Sequence, residues 1–209
     1  MTSPSASASP SVTPATAAQL KRLTLQGTDL PAGWKGAPQS SDSTDKQLTA
    51  KLVSCVGGRN TDSDKVADVN SEEFTLADAS ISSSASSYKS RSDLDSDIAL
   101  IHNPKLDGCY RQLISSLIGP TLPQGAKVVS VDVKTVPGSN GGPPNVAGTT
   151  TASIQVSANG QQIPLYQTVT YLTGPLLEAE VDASNAGAPP PAAAVRAAIK
   201  AVAARVARG

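Results

Sequence analysis

Aromatic side chains are scarce in this chain, whose 209 residues include one Trp, one Phe and four Tyr. Sites for sugars and for single-stranded nucleic acid commonly stack rings against their ligands, so composition disfavours both. Histidine is scarcer still. His102 stands alone, and a Ser-His-Asp triad would have to use it, yet no Gly-x-Ser-x-Gly elbow accompanies it. Net charge is also missing, since 17 basic residues face 17 acidic ones. A balanced chain has no long-range attraction for nucleic acid or an anionic membrane, so any such contact must come from a local patch. No apolar run approaches the ~18 residues of a membrane span. Cys55 and Cys109 are the only cysteines, and with one histidine they make no zinc ligand set. No cofactor motif and no catalytic constellation can be assembled.

What is present begins with a spacer. Residues 1–16 (MTSPSASASPSVTPAT) are almost entirely Ser, Thr, Ala and Pro, with Val12 the one large aliphatic residue. Such a segment buries too little apolar area to offset its ordering entropy and is expected to be a disordered tether. No basic n-region or apolar h-region follows Met1, so no secretion signal is read. A tether of this kind suits a domain lifted off a membrane anchor preceding it.

Residues 17–209 carry the folded pattern. Helices are expected over residues 17–25, 44–56, from a Ser92 cap to about His102, and from Pro104 to Gly119-Pro120. Strands are expected over 65–76 and 80–88, and over 127–133 with Val129, Val131 and Val133 on one face. Asn159-Gly160 between residues 149–158 and 161–172 is a two-residue hairpin signal, setting Val156 opposite Ile163 and Ile154 opposite Leu165. A further strand spans 176–181. The last helix, 192–208, repeats Val195, Ile199, Val202 and Val206 on one side. With hairpin connections and no βαβ rhythm, the expected class is α+β: an antiparallel sheet with helices packed on it.

Each candidate for chemistry has a plain alternative. Cys55 ends one helical segment and Cys109 begins another, so a bridge would pin the two; the other reading is a pair of buried free thiols. Asp93, Asp95 and Asp97 suggest calcium, but an EF-hand pattern fails at Ile98 and Pro104 and the run fits an acidic helix start. Trp34 reads as a core plug in a Pro/Gly-rich loop. Arg196, Lys200, Arg205 and Arg208 give the last helix a basic face, either solvated or in contact with anionic lipid or cell-wall polymer. Residues 138–144 (GSNGGPP) read as a flexible connector.

Asp29-Leu30-Pro31-Ala32-Gly33-Trp34, Ser54-Cys55-Val56-Gly57, Cys109-Tyr110 and Gly160…Pro164-Leu165-Tyr166 together resemble exported actinobacterial proteins and lipoproteins, similar in outline to the PsbP-like α+β fold. The resemblance implies an exported, membrane-tethered domain with Cys55 and Cys109 paired, and it implies no catalytic residues. The expected function is therefore a non-enzymatic extracytoplasmic domain of a cell-envelope protein. It would bind a small apolar ligand between sheet and helices, or an envelope protein partner, with no nucleic-acid role. The alternative is an accessory envelope protein acting through its sheet edge or its basic C-terminal helix. The sequence identifies no ligand-binding residue.

Overall fold

The computed structural model describes residues 12–39, 43–122, 124–139 and 141–208. Most of the expected spacer, residues 1–11, lies outside them. Its last residues join the folded body: Ala15 packs against the core and its carbonyl accepts from the Ser87 hydroxyl at 2.7 Å. Thr16 then caps α1 (Ala17–Leu23), its side chain accepting from Gln19 N–H while Gln19 accepts from Thr16 N–H.

The remaining elements are β1 (Lys35–Pro38), α2 (Ser43–Val56), β2 (Lys65–Asn70), β3 (Glu72–Leu76), β4 (Ala79–Tyr88), α3 (Arg91–Ile101), α4 (Leu106–Thr121), β5 (Lys127–Pro137), β6 (Val146–Ala158), β7 (Gln161–Thr173), β8 (Leu177–Ala186) and α5 (Ala192–Val206). The eight strands form one sheet in the order β1-β3-β4-β8-β7-β6-β5, with β2 also paired to β4. Every pairing is antiparallel. The class expected from the sequence, an antiparallel sheet carrying helices, is the class observed.

The hairpin register is also as expected, with Val156 against Ile163 and Ile154 against Leu165. Asn159 and Gly160 both take positive φ, which a two-residue turn matching strand twist requires. Elsewhere boundaries differ for identifiable reasons. The single strand expected over 65–76 is two, broken at buried Ser71, whose N–H and hydroxyl oxygen both bond the backbone of Ser83. β2 and β3 therefore follow one another along the same edge of β4. Val129 does not join Val131 and Val133, because a bulge between Val128 and Ser130 turns it out to solvent. Ser90, not Ser92, caps α3, and α4 runs past Gly119-Pro120 to Thr121.

Alternation along the strands gives the sheet two unlike faces. On one, Leu177, Ala179, Val181 and Ala183 of β8 and Ile81 and Ala85 of β4 pack against α1 and α5 around Leu20, Leu172, Val202 and Val206. Alanines let α5 lie close to this small-residue surface, so Ala194, Ala198 and Ala203 are buried. Val195 and Ile199, expected on the inner seam, are only partly covered. The opposite face carries α4 over β5 and β6, where Tyr110 and Ile114 meet Val133, Ala152, Ile154 and Val156. α3 touches β4 and β6 on this side, and Ile101 lies so near Gly148 that a methyl group there would come within 2.6 Å of it.

Candidate functional site

Cys55 and Cys109 are joined as a disulfide with their Cα atoms 5.8 Å apart. The bond ties the end of α2 to the start of α4, over a small cluster of Val56, Leu106 and Cys109. It belongs to the frame. Cys55 is exposed at the surface, and neither of the hollows described below includes it.

The densest group of titratable side chains lies under α3. Strand β8 reads Leu-Glu-Ala-Glu-Val-Asp, and its period of two sends Glu178, Glu180 and Asp182 away from the α5 side. Glu178 is buried and meets the Tyr88 hydroxyl at 2.8 Å, while Asp97 of α3 closes on the same hydroxyl. The Thr61 hydroxyl donates to the other oxygen of Asp97 at 2.8 Å. Tyr88 has one hydroxyl proton for two carboxyl neighbours, which compete for it. Glu178 is the buried one: desolvation, then the charge of Asp97 and that of Glu180, push it well above its ordinary 4.5. Glu180 is pushed up to about 7, by desolvation first and with Lys65 acting against the rise. Tyr88 and Tyr171 are held above their ordinary 10 by burial and these neighbouring carboxyls. Chemically, the group is a proton-sharing rivet between α3 and the centre of the sheet.

A second polar joint closes the other face. Arg205, in the last turn of α5, grips Asp29 through its two terminal guanidinium nitrogens, at 2.6 and 3.1 Å. The same side chain donates to the carbonyls of Leu23 and Thr24 at the end of α1. Burial raises the Asp29 carboxyl, but the Arg205 bonds, the Gln26 N–H and the Arg205 charge outweigh it and hold it below its usual range. Arg205 is therefore a clamp between the two helices, not part of a solvated basic face. Arg196, Lys200 and Arg208 remain exposed and, among the described residues, form no ion pair.

Beside α5 the sheet is uncovered. Two open hollows of about 440 and 240 Å³ lie there and share Thr151. One is bounded by Arg196, Ser139, Gly141, Gly142, Val136 and Thr149. The other is bounded by Asp132, Ser153, Tyr166, Thr168 and the Pro189-Pro190 rim that precedes the helix. Registers Val136↔Thr149 and Ser153↔Tyr166 place these side chains on the α5 face. Meeting at Thr151, they make one groove beside the start of α5, with the Arg196 cation towards one end and the Tyr166 ring towards the other. Ser139, Gly141 and Gly142, from the segment expected to be a connector, thus also wall the groove.

The other sequence candidates disperse. His102 is exposed, its Nε2 lying 3.2 Å from the Ala147 carbonyl. Asp93 bonds Arg59 and Ser90, Asp95 bonds Arg91, and Asp97 turns to Tyr88 and Thr61, so the three do not converge. Among the described residues no group of three His, Cys, Asp or Glu is placed to hold a metal ion, and no helix is long and apolar enough to cross a membrane. Trp34 packs half-buried against the α1/α5 core. Sequence reading gave no site role to Tyr88, Glu178, Thr151 or Tyr166. A charge at every second position of β8 was the available signal for Glu178.

No family model matches the chain, and no curated protein matches it. Among solved structures, the extracellular domain of PknH from Mycobacterium tuberculosis is similar, at 10% identity over 94% of this chain and 99% of that one, with a TM-score of 0.47.

Proposed function

We propose that the chain is a non-enzymatic extracytoplasmic domain of a bacterial cell-envelope protein, tethered through its N-terminal spacer and acting by surface contact with a partner. The observation that carries this reading is the Cys55–Cys109 disulfide. Disulfides persist in oxidising compartments and are rare where glutathione and thioredoxin keep thiols reduced. The Ser/Thr/Pro/Ala composition of residues 1–16 and the lipoprotein-like motifs support the same placement.

Binding at the surface fits better than an apolar ligand held inside. Leu20, Leu172, Val202 and Val206 fill the space between sheet and helices with no accessible surface of their own, and both hollows lie open at the surface. Surface action through the basic helix also fits better than strand addition at β5. That edge carries Lys127, Asp132 and Lys134 and a bulge, the devices that discourage another strand from pairing. Absence of catalysis is inferred from placement: the proton-sharing carboxyls lie beneath α3 and line neither hollow.

The test is thiol alkylation in the native host before lysis, with a membrane-permeant maleimide. Neither cysteine should react until the denatured protein is reduced. Ready labelling of both without reductant would place the chain in a reducing compartment and end the proposal.

A further inference from the structure

We infer that the groove beside α5 is a binding site for an acidic saccharide chain. The inference rests on the surface-binding reading above and names the ligand class.

The argument starts from what α5 leaves bare. On this face α5 packs on β8 and on the end of β7 around Leu172, and α1 packs on β4, whereas β5, the middle of β6 and the adjoining part of β7 have no helix over them. There the sheet shows Thr149, Thr151, Ser153 and Thr168, a floor of hydroxyls; Thr151 already donates to the Lys134 carbonyl and Thr149 shares a bond with Thr170, so these two offer mainly acceptor oxygens. Such a floor suits a ligand that is itself dense in hydroxyls. Asp132 adds an acceptor at one end, its side chain 86% exposed and paired only at 3.8 Å with the Arg111 guanidinium. Sugar hydroxyls would bond it, whereas a further anionic group would gain nothing there. Tyr166 and the Pro189-Pro190 rim offer flat apolar surface at the same end, against which a pyranose ring can lie.

At the other end Arg196 supplies the charge. It has no acidic partner among the described residues, and its hollow contains no acidic side chain. The exposed N–H donors of a guanidinium match a carboxylate or a phosphate ester. Lys200, one helical turn on and also exposed, extends the positive field. The arrangement asks for a ligand with sugar rings at Tyr166 and an acid group at Arg196. Composition alone counted against sugars, because it counts rings and not where they sit. One well-placed ring is enough.

The experiment is a calorimetric titration of the full chain with three probes: oligogalacturonate, neutral maltohexaose and inorganic polyphosphate. Oligogalacturonate should bind, and Arg196→Gln should weaken it about tenfold or more, the loss of one charged hydrogen-bonding partner. Tyr166→Ala should weaken it about fivefold. Lys105→Gln, the same charge change between α3 and α4, should leave it unchanged. Thermal melts matched to the parent show that each variant is folded. Polyphosphate binding as tightly as oligogalacturonate, with Tyr166→Ala silent, would mean mere charge attraction and overturn the inference. So would no binding of oligogalacturonate at millimolar concentration, or equal loss in Lys105→Gln. These results leave the thiol-alkylation test untouched, so the groove can fail while the compartment stands.

Discussion

At the scale of single residues, the structure turns on protons and charges that the sequence displays without explaining. Burial, and then the charge of Asp97, raise the Glu178 carboxyl well above its ordinary 4.5 in the folded protein. The sign follows directly. A carboxyl raised on folding favours the native state fully below about 4.5, and that advantage is lost as pH climbs through the folded value. Glu180 loses its share between 4.5 and about 7, and Glu178 continues the loss above. Melting temperature should therefore fall from pH 4.5 to pH 8. Glu178→Gln keeps a neutral side chain with a hydrogen-bond donor, so it should flatten that fall and melt above the parent at pH 8. A variant that melts lower at pH 8 would show that Glu178 is ionised in the native protein. None of this was legible in Leu-Glu-Ala-Glu-Val-Asp, which announces a strand with one polar face but not that α3 lies over it. Arg205 escaped in the opposite direction. Its spacing placed it with Arg196 and Lys200, and only the fold brings Asp29, far off in sequence, within 2.6 Å.

Elements were legible wherever local geometry dictates the outcome. A two-residue Asn-Gly turn admits one register, so the β6–β7 pairing could be written down residue by residue. Gly160 sits at φ +78°, and Gly160→Ala should cost about 1 kcal/mol, lowering the melting temperature by about 2–4 °C. An unchanged melt would mean the turn does not hold the register. Elements were misread where a distant partner decides. Ser71 looks like any strand residue until its bonds to Ser83 break β2 from β3. The valines of α5 suggested its buried seam, but the small residues of β8 admit alanines more closely and rotate the helix. The groove was the least legible part. Arg196 was visible on its helix, yet Thr151 and Tyr166 reach it only through sheet register.

For the whole molecule, the disulfide is the largest single constraint. It links residues 54 positions apart, and closing a loop of that length removes about 4 kcal/mol of unfolded-state freedom. Replacing both cysteines by serine should lower the melting temperature by about 8–16 °C, read by calorimetry. A shift under 2 °C would show that the packing of α2 on α4 suffices without the bond.

The position of β8 has a consequence in time. It lies at the middle of the sheet, between β4 and β7, although nearly nine-tenths of the chain precedes its end. A polypeptide emerging from its amino end therefore has two half-sheets and no centre until residues 177–186 arrive, and Arg205 comes later still. The sheet thus closes last at its own centre, with the two half-sheets unjoined until that strand is in place.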